Sequence, residues 1–350
     1  MNTDDYIRRI EELESQNASL MKWQQSVNSL LTRVMDVLDE HGKRLDENEI
    51  ERLTLQLQVI SHQGMIDAMP FELADPDLSL PVLKPHIISE KETLRLLIHE
   101  KKSIARFGDG EFALMAGVSR WSFQSADLML GQKLQEVLFS NNDNLLIAIN
   151  PAFYESQLFK NDDDSIGIRS YMTPEVRKQH SALLDPNRVY ANALVFRNLH
   201  SDEDFSTLRE LWKGRECVVV EGQHTGFGVR NGLLADCKKV ERIICPAVDA
   251  FSVYDRILDA VTKHSKNKLI LIALGPTATA LAYDLSKEGY QAVDIGQIDL
   301  VFEAHLLNLS SINDLHIPDK YCTEDVRGDE RIIQDINDPE YLSQIIARIY

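Results

Sequence analysis

The sequence predicts an α/β fold, a parallel or mixed sheet flanked by helices and preceded by an α-helical coiled coil. Short apolar runs recur between Ser103 and Asp294 with helix-like stretches among them, and strands bounded by helices pack as a sheet covered on both faces. Ahead of these runs, the apolar positions of residues 8–48 follow a heptad.

The heptad puts Ile10, Leu31, Leu38 and Leu45 at a, and Leu13, Leu20, Val27 and Val34 at d. Asn17 and Gln24 fall at a, and His41 and Asn48 at d; polar residues there lower stability but fix register and strand number. Gly42 weakens the seam. Residues 1–60 therefore read as a homo-oligomerising helix, with a helix pair folded back on its own chain as the alternative. The period is lost beyond residue 60, where Pro70, Pro76, Pro81 and Pro85 collect, so residues 61–95 read as an extended linker. The main domain is expected over residues 96–325 and a helical tail over 326–350.

Within the main domain the strand candidates are Ser103–Phe107, Leu145–Ile149, Val189–Ala191, Glu216–Val220, Arg242–Cys245, Leu269–Leu274 and Gln291–Asp294. Helices are expected over Ser89–Glu100, where Ser89 and Glu92 make a capping-box pattern, and over Ser125–Phe139, Ser206–Lys213, Ala250–His264 and Thr277–Glu288.

The chain of 350 residues is 44% hydrophobic and 26% charged, which suits a large globular domain with an appendage. Its net charge of -18 argues against nucleic acid, whose phosphates need a positive field. Cys217, Cys237, Cys245 and Cys322 form no CxxC pair, so neither zinc nor a disulfide framework is indicated. No apolar run approaches the roughly 18–20 residues of a membrane span, and no basic-then-apolar leader opens the chain. The expectation is a cytoplasmic protein, with peripheral contact at the inner membrane face left open.

Arg106-Phe-Gly-Asp-Gly-Glu111 follows a strand candidate and sets two acids between and beside glycines. In extended chain the i, i+2 spacing turns both carboxylates to one side. Oxygen ligands of this kind suit Mg²⁺ or Mn²⁺ bridging a diphosphate, and Gly108 and Gly110 let backbone approach the ligand. A solvated turn is the alternative, since Gly and Asp form turns readily. Leu269–Leu274 runs into Gly275-Pro276-Thr277, where Thr277 can cap the next helix and its free N–H groups can hold an anion; an ordinary strand-to-helix turn fits equally. The glycines at 226, 228 and 232 depart from the dinucleotide fingerprint and read as a loop over substrate, with His224 and Arg230 as contacts or plain surface. Asp299 and Glu303 are acids that can serve as a general base or simply face solvent.

Taken together, Ser103-Ile-Ala-Arg-Phe-Gly-Asp-Gly-Glu-Phe, Val218-Val-Val-Glu-Gly, Ala250-Phe with Tyr254-Asp-Arg-Ile-Leu, Leu274-Gly-Pro-Thr-Ala-Thr and Gly289-Tyr-Gln-Ala-Val-Asp-Ile-Gly resemble the GT-D glycosyltransferases in order and spacing over about 220 residues. The resemblance implies a Rossmann-like sheet distinct from the GT-A and GT-B types. It implies transfer of a hexose, glucose or a relative, from a UDP-sugar to a glycan, glycolipid or glycoprotein acceptor in bacterial surface polysaccharide or protein glycosylation. It assigns Mn²⁺ or Mg²⁺ to Asp109 and Glu111, and the donor to Arg106, Gly108, Glu221, Gly275, Pro276, Thr277 and Thr279. Glu303 or Asp299 would activate the acceptor. Gln297 stands where the family has His, and Gly226 and Gly232 where it has Arg and Asp. These departures keep a second reading open, a degenerate nucleotide- or glycan-binding scaffold organised by the coiled coil.

Overall fold

The computed structural model describes residues 85–117, 123–151, 180–309, 312–321 and 335–350. The heptad segment and the linker to residue 84 lie outside the described residues. The chain divides into two compact units, and the fold below is that of Pro85–Pro151 with Asp185–Tyr350.

In chain order this unit runs β1 (His86–Ile87), α1 (Glu90–His99), β2 (Ser103–Phe107), α2 (Asp109–Met115), α3 (Leu128–Leu138), β3 (Leu145–Ile149), β4 (Val189–Asn192), α4 (Asp202–Arg209), β5 (Glu216–Gly222), β6 (Lys239–Cys245), α5 (Tyr254–Thr262), β7 (Leu269–Ala273), α6 (Pro276–Lys287), β8 (Gln291–Asp294), α7 (Ile298–Leu306), α8 (Pro339–Gln344) and β9 (Ile345–Arg348). The strands form one nine-stranded sheet of order β1-β4-β3-β2-β8-β7-β5-β6-β9, and every ladder is parallel.

Parallel strands are buried on both faces, which is why β5 and β7 read as unbroken apolar runs. Alternation still divides them. Cys217, Val219, Leu269, Leu271 and Val293 point into a core shared with Leu94 and Leu97 of α1, Phe205 and Leu208 of α4, and Ile298 and Phe302 of α7. Val218, Val220, Ile270, Ile272 and Ala292 point into the opposite core, with Ile257 and Val261 of α5 and Ala278, Leu281 and Leu285 of α6. The sheet is thus sandwiched between two helical layers, as the strand–helix alternation predicts.

Helix starts follow local chemistry. Ser89 Oγ accepts Glu92 N at 3.1 Å, and Asp127 Oδ1 accepts Leu130 N at 2.9 Å. The helix expected from Ser206 begins instead at Asp202, because Ser201 and Asp204 close a capping box. The stretch expected as one helix from Ala250 splits into a 3₁₀ turn, Ala250–Val253, and α5.

Both ends of the unit correct the expected boundaries. His86–Ile87 and the start of α1, placed in the linker by sequence, belong to the fold, since β1 pairs with β4. Among the described residues 335–350 of the expected tail, the helix is Pro339–Gln344, and Ile345–Arg348 then pairs with β6 as the sheet's last strand. β-branched residues beside an exposed strand edge favour pairing over one more helical turn.

One buried ion pair fastens this end. Glu221, 0% exposed, accepts from Arg242 Nη1 and from Phe227 N, both at 2.7 Å; Arg242 Nε donates to Gln344 Oε1 at 2.7 Å, and its guanidinium lies 5.0 Å from the Tyr341 ring centroid. Breaking such a pair strands a buried charge, so Arg242→Met is expected to lose about 3–5 kcal/mol of stability in urea denaturation. Glu221→Leu with Arg242→Met together should recover most of that loss.

Candidate active site

Because every strand is parallel, the carboxyl ends of β2, β8, β7 and β5 share one edge, where Gly108, Gly296, Gly275 and Gln223 follow them. The path after β2 turns toward β3, whereas β8, reached from β7 on the other side, leads into α7. Ligand crevices form where connections diverge in this way.

Arg106 occupies that point. Its Nε donates to Asp294 O at 2.8 Å, its Nη2 pairs with Asp294 Oδ1 at 2.9 Å, and its Nη1 reaches Ala193 O at 3.3 Å. Its guanidinium also lies 5.6 Å from the Phe196 ring centroid. Position 296 must be glycine: a Cβ there would fall 2.1 Å from Arg106 Nη2. Thr279 Oγ1 completes the clamp, donating to Arg106 O at 2.9 Å and lying 3.2 Å from Asp294 Oδ2. Arg106 and Thr279, which the resemblance assigns to the donor, tie β2, β8 and α6 together. Asp294, which the sequence offered only as the end of a strand, is the hub.

Asp109 and Glu111 differ from the expected geometry. They lie in the first turn of α2, not in extended chain, so successive side chains rotate about 100° and i, i+2 residues do not face each other. Glu111 turns back, its Oε2 accepting Gly108 N at 2.7 Å. Part of Glu111's surface still meets solvent, but the carboxyl head is deeply set. Burial first, and the charge of Asp294 as well, push its pKa up to about 7, against the Gly108 bond and Arg106.

The α6 entrance is also altered. Gly275 is the N-cap, with φ 53° and ψ -142°, and Pro276 is the first helical residue. Thr277 does not cap; its hydroxyl is buried and given to Gln124 Oε1 at 3.3 Å. Gln124 Nε2 in turn donates to Asp249 Oδ1 at 3.2 Å. Gly275 is exposed, while Pro276, Thr277 and Thr279 are buried, so the backbone of this turn is what a donor can meet. Glu221, also assigned to the donor by resemblance, has its two oxygens hydrogen-bonded to Phe227 N and Arg242 Nη1.

A second charged cluster lies on α7. Asp299 and Glu303, one turn apart, share Lys320, whose Nζ is 3.5 Å from Asp299 Oδ2 and 3.4 Å from Glu303 Oε1. Asn231 Nδ2 also donates to Glu303 Oε1, at 3.1 Å. Burial pushes the Asp299 pKa up to about 6, opposed by Lys320. Arg230 pairs with Asp319 at 2.5 Å, and His224 meets Tyr321 edge-on, the ring centroids 5.4 Å apart. Lys320 and Asn231 carry no periodicity or motif that sequence reading could have used.

These clusters at one sheet edge fit a known pattern. A family model described as the glycosyltransferase GT-D fold matches residues 104–325. The chain belongs to the GT-D glycosyltransferase family. It is 31% identical over 273 residues to a probable glycosyl transferase of Streptococcus gordonii, a match covering 75% of this chain and 39% of that protein. It is 30% identical over 324 residues to the glycosyltransferase GlyD of Streptococcus pneumoniae serotype 4, covering 88% of this chain and 37% of that one. The GT-D chain therefore spans less than two fifths of these relatives' length. Among solved structures, a highly conserved domain of unknown function 1792 with a distinct glycosyltransferase fold aligns with TM-score 0.69 at 30% identity, covering 76% of this chain and 96% of that one. A glycosyltransferase of the same domain type from Streptococcus sanguinis aligns with TM-score 0.68 at 30% identity, covering 76% and 100%. The parallel, helix-flanked sheet of this GT-D chain is thus the expected one.

Among the described residues no group of three or more His, Cys, Asp or Glu is arranged to hold a metal ion. Asp109 and Glu111 could supply two hard oxygens to a cation whose remaining ligands come from a diphosphate and water, the usual habit of Mg²⁺. The donor chemistry fits: a carboxylate held at about 7 beside Asp294 is one that a cation would relieve.

Glu111 gives a pH-dependent signature. Its folded pKa of about 7 exceeds the ordinary 4.5, so the stability linked to its proton is complete below about 4.5 and is lost as pH rises through 7. Gln can still accept the Gly108 N–H. Glu111→Gln, measured in EDTA, is therefore expected to exceed the wild type in stability at pH 8 by up to about 3 kcal/mol, the difference closing toward pH 4.5. A difference independent of pH would contradict the burial assigned to this carboxyl.

Proposed function

We propose that this chain transfers a hexose, glucose or a relative, from a UDP-sugar to a glycan, glycolipid or glycoprotein acceptor, with Mn²⁺ or Mg²⁺. The supporting observation is membership of the GT-D family together with Asp109-Gly110-Glu111 at the carboxyl end of β2, where the connections diverge.

In this reading Asp109 and Glu111 hold the cation, which when bound offsets the charge developing on the departing nucleoside diphosphate. The exposed turn at Gly275 offers backbone to the donor. Arg106 and Thr279 act one step back, fixing the strand ends from which Gly108 and Gly296 approach. For the acceptor base the two acids are unequal: Asp299 is fully enclosed, whereas the Glu303 side chain is 17% exposed. Glu303 is the group that can take a proton from an incoming hydroxyl.

The heptad segment would bring several such domains to one multivalent acceptor, raising effective concentration. No helix among the described residues is long and apolar enough to cross a membrane. A cytoplasmic setting, with acceptors at the inner membrane face, accords with capsule, O-antigen or glycoprotein assembly.

The test is donor hydrolysis across a panel of UDP-sugars, so that no acceptor need be known. Turnover should require Mn²⁺ or Mg²⁺ and vanish in EDTA, and Asp109→Ala should lower it about 10²–10³-fold. Metal-independent turnover, or an undiminished Asp109→Ala rate, would overturn the assignment. Metal-dependent UDP binding without turnover on any donor would favour the scaffold reading that Gln297 keeps in play.

A further inference from the structure

Lys320 is an ammonium sealed inside the protein, its side chain 1% exposed, between two carboxylates of α7. Its enclosure is built by the surrounding chain. The stem passes over Gly226, which has φ 56°; a Cβ there would lie 3.2 Å from Lys320 Cε and 2.7 Å from Ile336 Cδ1. The flanking residues fasten the segment: Asp319 takes Arg230, and Tyr321 N donates to His224 O at 3.0 Å. His224 and Arg230 both hold positive φ, 66° and 64°, a state that non-glycine residues keep only where contacts impose it. Three successive residues, Asp319, Lys320 and Tyr321, thus dock on the loop after β5 and the acidic face of α7.

The cluster is asymmetric. Asp299 is enclosed, while Glu303 reaches solvent and receives both Lys320 Nζ and Asn231 Nδ2 on Oε1. Asn231 is itself fixed, its Oδ1 accepting Leu233 N at 3.0 Å. Two donors on one oxygen hold the carboxylate in a single orientation.

We infer that Lys320 is a positioning residue that, with Asn231, aims the Glu303 carboxyl as the acceptor's base, with Asp299 as the enclosed partner that anchors the Lys320 ammonium. The inference rests on the glycosyl-transfer reading for its role and on geometry alone for its electrostatics. The groups facing Glu303 are Lys320, Asn231, Asp299 and Arg230, the last already paired with Asp319; Glu221, paired with Arg242, faces Asp299. Without the ammonium, the Asp299 and Glu303 carboxylates, one helical turn apart, would face each other with no cation between them.

Lys320→Met keeps the stem and removes the charge. In carbon-13 NMR titration of labelled glutamate, with Glu303→Gln as the assignment control, the Glu303 carboxyl should titrate about one pH unit or more higher in this variant. On the donor and acceptor that the wild type uses, kcat should fall about 10- to 100-fold, KM should change less than about twofold, and the acid limb of the kcat profile should shift upward. Lys320→Arg should restore part of both effects. Should the methionine variant not fold, Lys320→Gln is titrated in its place. An unchanged Glu303 titration overturns the inference whatever the turnover. A lowered Tm with unchanged kcat and pH profile overturns it as well, since a merely structural lysine would behave so. A wild type that turns over no donor overturns the transfer reading alone, because the titration still decides the electrostatics.

Discussion

The junction of β2 with β8 is the constraint on which the rest of the molecule depends. β2 pairs with β3 along its whole length, Ser103–Phe107, but its ladder with β8 registers at Ile104 opposite Val293. The two halves of the sheet, β1-β4-β3-β2 and β8-β7-β5-β6-β9, therefore meet across a short run of backbone bonds. Side chains make up the difference. Ser103 Oγ donates to Tyr290 O and accepts Ala292 N at one end, and the Arg106–Asp294–Thr279 clamp closes the other. A seam held by side chains rather than a continuous ladder can diverge at its carboxyl end, and that divergence is what a ligand crevice requires. Arg106 and Thr279, which the resemblance assigns to the donor, thus also hold the seam at these strand ends.

The second cluster applies the same economy on the far side of Gly296. A few residues carry the chain from Asp294, in the clamp, to Asp299, beside Lys320. α7 is therefore aimed by the clamp, and its acids are oriented by a segment that arrives from later in the chain. Buried charge is tolerated in both places because each cation has more than one partner, Arg106 with Asp294 and Ala193, Lys320 with Asp299 and Glu303. The Glu221–Arg242 pair does the same for the loop that covers α7, through Phe227 N.

How far the sequence reveals this depends on how local each cause is. β5 and β7 were legible because Val218-Val-Val and Leu269-Ile-Leu-Ile can only be buried, and α1 because Ser89 and Glu92 announce its start. Asp109-Gly-Glu111 was legible as a site but not as a geometry: two glycines and two acids suggest a turn, and only the tertiary position of Gly108 lets Glu111 close a helix start behind it. Ile345–Arg348 carried only the weak signal of two β-branched residues, and its pairing depends on the edge of β6, which lies far away in sequence. Glu221 was read by resemblance as a donor residue, and its pairing with Arg242, a matter of strand order, was not legible. Lys320 was invisible because every reason for its position lies elsewhere in the chain.

The balance of charge at this edge bears on the proposed cation. The clamp and the α7 cluster gather Asp109, Glu111, Asp294, Asp299 and Glu303, while the cations among them, Arg106 and Lys320, are already engaged with carboxylates. On the proposed reading, a diphosphate approaching alone would meet these carboxylates, and where they are buried such repulsion is screened poorly. Burial lifts the Glu111 pKa to about 7, and the neighbouring Asp294 charge adds to it. On the proposed reading, a divalent cation does more than assist departure of the leaving group: it makes binding of the donor compatible with the carboxylates that the acceptor chemistry needs. A transferase of this fold could have neutralised its donor with arginines instead. Here Arg106 is already held by Asp294, and on the proposed reading the positive charge comes with the donor.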